Sequence, residues 1–288
     1  MVDEPKKYLA LCLDPVHIGT GGYRLGRVDM SIVREAATGV PKIPGTSLAG
    51  AIRAYAEMAK GQDTDLPNID MVFGTKDGGQ GMLRFYDGDV VLFPVSSHLG
   101  TVWISTSERL TKWLSESPAD ELLSIPNNQV EDKVITLKGL DGEKPVHLGW
   151  LLLETEPVQE PVDARYLPRY LDFIQRLVLV SDKLFHHLVN DHLEVRTSVA
   201  IDDETGAAQT GALFTYEAIP RGTIIGLELA TDTRRGNGVS QEKVDELLRR
   251  AFTALKVLGI GGMGTRGFGR LEVFVNGTTP EATNGGSS

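Results

Sequence analysis

The chain has a single cysteine, Cys12, in 288 residues. One thiol excludes an internal disulfide and a cysteine-built zinc site, and it fits a reducing cytoplasm. Long hydrophobic runs are also missing. Stretches such as Leu177–Val180 and Trp150–Leu153 fall far short of the roughly 20 residues that cross a bilayer, and the opening MVDEPKKYLA lacks the apolar centre of a secretory signal. The expectation is a soluble cytoplasmic protein with no membrane partner. Positive charge is in deficit, with 29 Lys and Arg against 39 Asp and Glu, a formal charge of −10. That balance disfavours nonspecific binding to nucleic acid or anionic lipid over the whole surface, but it says nothing about one face. Several motifs are absent as well. There is no G-x-S-x-G elbow and no P-loop, and the histidines of HHLVNDH (His186, His187, His192) match no zinc spacing. DDETG lacks the alternating ligands of a calcium loop and reads as a solvated hairpin tip.

Glycine is plentiful, at 32 residues. In GIGGMGTRGFG, Gly262, Gly264 and Gly267 have the spacing of a dinucleotide fingerprint, but this turn leaves a helix and enters a strand, the reverse of what pyrophosphate binding needs. Two readings stay open: a turn whose backbone N–H groups, with Arg266 and Arg270, meet a sugar-phosphate strand, or a tight helix-to-strand reversal. A second unusual stretch is GRVDMSIVRE. From Arg24 to Arg53, five basic residues (Arg24, Arg27, Arg34, Lys42, Arg53) face two acids (Asp29, Glu35), a local excess of +3. An aspartate among arginines is either a structural ion pair or a catalytic acid.

The periodicity predicts a strand in KYLALCLDPVHIG and a helix after PGT, with Leu48, Ile52, Tyr55 and Ala59 on one face and Thr46 or Ser47 as its cap. Strands around YDGD follow, then a short helix opened by a Ser105/Glu108 capping box. Residues 115–168 read as short strands in an inserted region without a core of its own. Alternation through Leu193, Val195, Thr197, Val199 and Ile201 predicts a hairpin over about 192–217 that projects from the body. A strand at GTIIGLELA, a helix from Ser240 with a stripe Val244, Leu247, Leu248, Ala251, Leu255 and Leu258, and a strand GRLEVFV complete residues 1–275 as one domain. Residues 276–288 read as a disordered tail. The order predicts an α+β fold, an elaborated ferredoxin-like domain.

Two segments, DPVHIGTGGYRLGRVDMSIVREAATGVPKIPGTSLAGAIR and GIGGMGTRGFGRLEV, resemble the RAMP superfamily of CRISPR effector proteins. FGTKDGGQGMLRFYDGDVVLFPVSSHLGTVWISTS and VRTSVAIDDETGAAQTGALFTYEAIP are similar to the repeated backbone subunit of the type III-B (Cmr) complex. The resemblance implies an RRM-like palm and a protruding β-hairpin thumb. It also implies head-to-tail stacking of copies along one CRISPR RNA within a larger antiviral defence complex, and endoribonuclease cleavage of bound target RNA with Mg²⁺ or Mn²⁺. Residue by residue it assigns Asp29 as catalytic acid, in the role of base or metal ligand, with His17 second. It assigns Arg24, Arg27, Arg34, Lys42, Ser47, Arg53, Gly262, Gly264, Arg266, Gly267 and Arg270 to the RNA, and Val199 and Ile201 to a wedge on the thumb. In this chain Ala49 stands where the family commonly has lysine and Ser31 where it commonly has proline. A non-catalytic RNA-binding subunit and a CRISPR RNA-processing endonuclease remain as alternatives.

Overall fold

A computed structural model describes residues 4–21, 28–75, 77–114, 133–140, 144–157, 168–201 and 208–275. The first strand, β1 (Lys6–Cys12), is followed by the short β2 (Lys42–Ile43) and the helix α1 (Gly45–Gln62). Helix α1 forms where the pattern predicts it, with Leu48, Ile52, Ala56 and Ala59 buried at helical spacing. Its cap differs from expectation. Pro44 occupies the N-cap position with no side-chain acceptor, and neither Thr46 nor Ser47 serves. Instead Asp87, from a later turn, accepts the Gly45 N–H at 2.8 Å, which satisfies an otherwise orphaned donor at the helix's positive end.

Next come α2 (Ile69–Phe73), β3 (Leu83–Phe85), β4 (Gly88–Ser97), β5 (Gly100–Ser105) and α3 (Ser107–Leu114). Ser105 ends β5 and donates its hydroxyl to the Val91 carbonyl, so the expected capping box does not form; Thr106 Oγ1 accepts the Arg109 N–H at 3.4 Å in its place. Then follow β6 (Lys133–Lys138), β7 (Val146–Leu148), β8 (Leu151–Pro157), β9 (Leu177–Leu179), α4 (Asp182–Asp191), β10 (Glu194–Ile201), β11 (Ala208–Ala218), β12 (Ile224–Thr231), α5 (Gln241–Leu258) and β13 (Leu271–Phe274). In α5 the stripe from Val244 to Leu255 is buried, but Leu258 is half exposed, because Gly259 turns the chain away one residue later.

The described residues form a mixed α+β fold with one eleven-stranded sheet in the order β13-β1-β12-β4-β5-β9-β6-β8-β7, with β2 beside β4 and β3 beside β12. The strands β13, β1, β12 and β4 pair antiparallel throughout. Two β-α-β units, each split by a strand of the other, thus interlock around α1 and α5. Alternation along β1 feeds both faces of the sheet: Tyr8, Ala10 and Cys12 join a core with Leu48, Ile52, Leu247 and Leu255, while Leu9 joins a second core with Leu92, Trp113, Leu171 and Ile174. Each such fully buried large side chain contributes about 1.5–3 kcal/mol. In the region read as inserted, Val134, Val146 and Leu148 join the first core, and Ile135 and Leu137 the second.

Among the described strands β10 and β11 pair with each other, as a separate two-stranded sheet, to which Met30 adds an isolated bridge at Tyr216. The expected tail, 276–288, lies outside the described residues.

Candidate nucleic-acid interface

Residues 15–20, just after β1, form a spine that two distant turns share. On one side Ile18 O accepts the Val33 N–H at 2.9 Å and Ser31 O accepts the Thr20 N–H at 3.1 Å. On the other, His17 O accepts the Gly262 N–H at 3.0 Å and Pro15 O accepts the Gly269 N–H at 2.9 Å. The Asp29 segment and the glycine-rich turn are therefore brought to one place. Both also meet the root of the hairpin: Met30 and Met263 pack against a small buried cluster of Tyr216, Ala218 and Phe268.

The Asp29 segment is zipped onto β11. Met30 N donates to Thr215 O at 3.0 Å and Glu217 N donates to Met30 O at 3.1 Å. One carboxylate oxygen, Asp29 Oδ2, accepts both the Thr215 N–H at 2.7 Å and the Thr215 hydroxyl at 2.8 Å, while Asp29 N donates back to Thr215 Oγ1 at 3.1 Å. The Thr215 N–H, and after it the Thr215 hydroxyl, hold the Asp29 carboxyl below the usual carboxylate range. Asp29 is thus ionised at neutral pH, and among the described residues no cation pairs with it.

Arg24 and Arg27 lie outside the described residues. Arg34 turns away from Asp29, pairing with Glu217 at 2.9 Å and donating to Gly39 O and Asn190 Oδ1. The physical reason is Glu217, a nearly buried carboxylate that needs a counter-charge. Lys42 pairs with Asp87 at 2.6 Å, and Arg53 with Glu57 at 3.0 Å and Asp70 at 2.5 Å. Ser47 sits half-buried in the first turn of α1. His17, placed second as a catalytic group, is buried, with Nδ1 2.6 Å from Glu217 O and its ring edge-on to Tyr216; it braces the spine and does not open onto the surface.

In the glycine-rich turn the two readings divide between different residues. A Cβ on Gly261 (φ +85°) would lie 2.4 Å from His17 O, and one on Gly269 (φ +94°) 2.3 Å from Ile260 O, so these glycines make the reversal. Gly262 and Gly264 are not pressed in this way, a Cβ on either staying at 3.4 Å or more from its surroundings, whereas Gly267 has open space but a left-handed backbone (φ +78°) that itself favours glycine. Arg266 is exposed, with Nη1 3.5 Å from Ser198 Oγ, and Arg270 pairs with Asp14 at 2.5 Å.

Pleating gives the hairpin two faces. Val195, Thr197 and Val199 pair with Glu217, Thr215 and Leu213 on the Asp29 side, and there Val199 and its partner Leu213 stand 44% and 61% exposed. The side chain of Ile201, the other expected wedge residue, lies outside the described residues. On the opposite face the Arg196 guanidinium lies 4.6 Å from the Phe268 ring centroid. The Arg270 hydrogen bond holds Asp14 below the usual range, with the charges of Arg270, Arg221 and Arg196 adding to it. Thr215, Leu213, Arg196 and Arg221 escaped the sequence reading. Only the strand parity of the hairpin carried a signal for the first three.

Among the described residues no three His, Cys, Asp or Glu side chains cluster to hold a metal ion, and no helix is long and apolar enough to cross a membrane.

Comparison with known proteins bears on this geometry. Residues 10–272 match the RAMP superfamily model. The CRISPR system Cmr endoribonuclease Cmr4 of Pyrococcus furiosus is 30% identical over an alignment of 296 positions that covers 96% of each chain. Among solved structures, a chain of a type III-B Cmr-β complex bound to cognate target RNA superposes with a TM-score of 0.74 at 20% identity, covering 94% of this chain and 97% of the other. A chain of oligomeric Cmr4 from Pyrococcus furiosus gives 0.64 at 20% identity, over 95% and 100%. The chain belongs to the RAMP superfamily and is a homologue of the Cmr4 subunit of type III-B Cmr complexes.

Proposed function

We propose that the chain is the CRISPR RNA-binding backbone subunit of a cytoplasmic type III-B effector complex, and that it cleaves guide-bound target RNA at Asp29. In this reading β13-β1-β12-β4 with α1 and α5 is a ferredoxin-like palm, the hairpin is the thumb, and copies stack along one guide with other subunits. The supporting observation is an ionised carboxylate, without a paired cation among the described residues, held where hairpin, spine and glycine-rich turn meet. Arg270, Arg221 and Arg196 gather near Asp14 and Arg266 is exposed on the glycine-rich turn, so an acidic chain still offers local positive charge to an RNA backbone, and base pairing supplies sequence readout.

For an unpaired nucleotide lodged at Asp29, the reaction is attack of its own 2′-OH on the adjoining 3′-phosphate, with departure of the 5′-oxygen. Val199 and Leu213 offer the apolar surface that keeps the base out of the stack. An Asp29 carboxyl depressed by Thr215 is a weak proton acceptor but a persistent negative charge, which favours orientation of the hydroxyl or cation binding over strong base catalysis. The described residues fit a divalent ion only as a single carboxylate ligand, the remaining positions falling to phosphate oxygens and water, the manner in which Mg²⁺ is commonly held. Such an ion, Mg²⁺ or Mn²⁺, would supply stabilisation of the phosphorane charge.

The test is reconstitution of the complex with wild-type or Asp29→Asn subunits at equal RNA loading. Guide and target binding should be unchanged while target cleavage falls at least roughly a hundredfold. Undiminished cutting by the mutant complex would remove the catalytic assignment and leave a non-catalytic RNA scaffold. A precursor-processing enzyme working through a histidine base gains no support from His17, which is buried.

A further inference from the structure

Asp29 belongs by sequence to the segment after β1, but its bonds belong to the hairpin. All the described hydrogen bonds that orient its carboxylate come from Thr215, at the root of β11 and 186 residues away. The neighbouring residue is fastened to the same strand through Met30 N and O. The spine fixes the segment only further along, at Ser31 and Val33. Thr215 also shares a hairpin face with Val199 and Leu213, two residue pairs nearer the root. Acid and apolar pair are therefore fastened to one two-stranded element.

We propose that Thr215 is the positioning residue for the reaction: it clamps Oδ2 of Asp29 to the hairpin and leaves Oδ1 directed at the RNA. The site of cleavage is then set by where the hairpin seats in the guide-target duplex, because the acid travels with it. This inference rests on the catalytic reading of Asp29. Its physical content is that Thr215 offers two donors to one oxygen, a hydroxyl and a backbone N–H, and that only the first is removable by substitution. Valine keeps the shape and the N–H and deletes the hydroxyl; serine keeps both donors.

The experiment compares reconstituted complexes carrying wild-type, Thr215→Val, Thr215→Ser and Asp29→Asn subunits, all loaded with guide and target RNA. Cleavage rate is followed across pH, with assembly and target affinity measured alongside. Thr215→Val is expected to assemble and bind as wild type, to cut at least roughly tenfold more slowly, and to have the acid limb of its pH-rate profile displaced upward. The sign follows from the hydroxyl: it favours the charged carboxylate, so its loss raises the pH at which Asp29 becomes protonated. Thr215→Ser is expected to restore both rate and profile to near wild type. A merely structural role would alter assembly or rate but would not move the acid limb.

An inactive Asp29→Asn complex together with a Thr215→Val complex of wild-type rate and profile would overturn the role of Thr215. Equal impairment of the valine and serine variants would overturn it too, since the hydroxyl would then not be the operative group. Cleavage by Asp29→Asn at the wild-type rate would remove the underlying catalytic reading itself.

Discussion

At the scale of single residues, Asp29 and Arg34 show how one short segment divides its charges. The aspartate is fixed by uncharged donors and faces outward; the arginine is drawn inward by Glu217. Arg34→Ala should therefore lower stability by about 2 kcal/mol in denaturant unfolding, the scale of a hydrogen bond to a charged group, and leave the salt dependence of RNA binding unaltered. Arg266→Ala should do the reverse. Stability should stay within about 0.5 kcal/mol, while the slope of log affinity against log salt falls in magnitude by about 0.7, one single-strand phosphate contact. A stability loss without a slope change for Arg266→Ala would place that guanidinium in the fold and not on RNA. Asp29 and the glycine-rich turn stood out in the sequence because composition marks them locally. The fates of Arg34 and Lys42 did not, because the acids that claim them, Glu217 and Asp87, are set by tertiary contacts that no spacing rule contains; Arg53 also meets Asp70 in that way, although its i,i+4 pair with Glu57 follows helix spacing.

At the scale of elements, α1 makes the same point. Its apolar stripe was plain from periodicity, whereas its cap comes from Asp87, 42 residues on. Lys42, then the Gly45 N–H, hold the Asp87 carboxyl below its usual range. A carboxyl depressed by folding adds stability that is fully present above its ordinary range and is lost as pH falls through its native value. Asp87→Asn, which keeps an acceptor for the Gly45 N–H but removes the charge, should cost roughly 0.3–1 kcal/mol at pH 7, the worth of a carboxylate at a helix N-terminus, and the gap between mutant and wild type should close under acid in urea titrations. A gap that persists unchanged under acid would assign the cost to packing. The same carboxylate already meets the positive end of α1, so phosphate binding there would have to displace it; Ser47 and Lys42 flank an occupied helix terminus. The hairpin was legible from alternation alone, and so was the stripe of α5 up to the point where Gly259 ends it. Strand order within the large sheet was only partly so. The antiparallel quartet follows from two β-α-β runs, but the parallel pairings of β5 with β9 and β6 with β8 join segments whose sequences carry no mark of each other.

At the scale of the molecule, a chain of formal charge −10 brings its hairpin root and glycine-rich turn together, with Arg196 over Phe268, so the polyanionic partner of the proposed function would meet local positive charge. The sheet that supports them has a further property. Strand β1 lies between β12 and β13, both made after it: Leu9 is opposite Gly226 on one side and Phe274 on the other. Such long-range pairing delays closure of the core until distant segments are available. A nascent chain arrested on the ribosome before Ile224 should remain open to protease, whereas the released full-length chain resists it. During translation β1 is made before either strand that flanks it, so both of its edges stay open until those strands arrive.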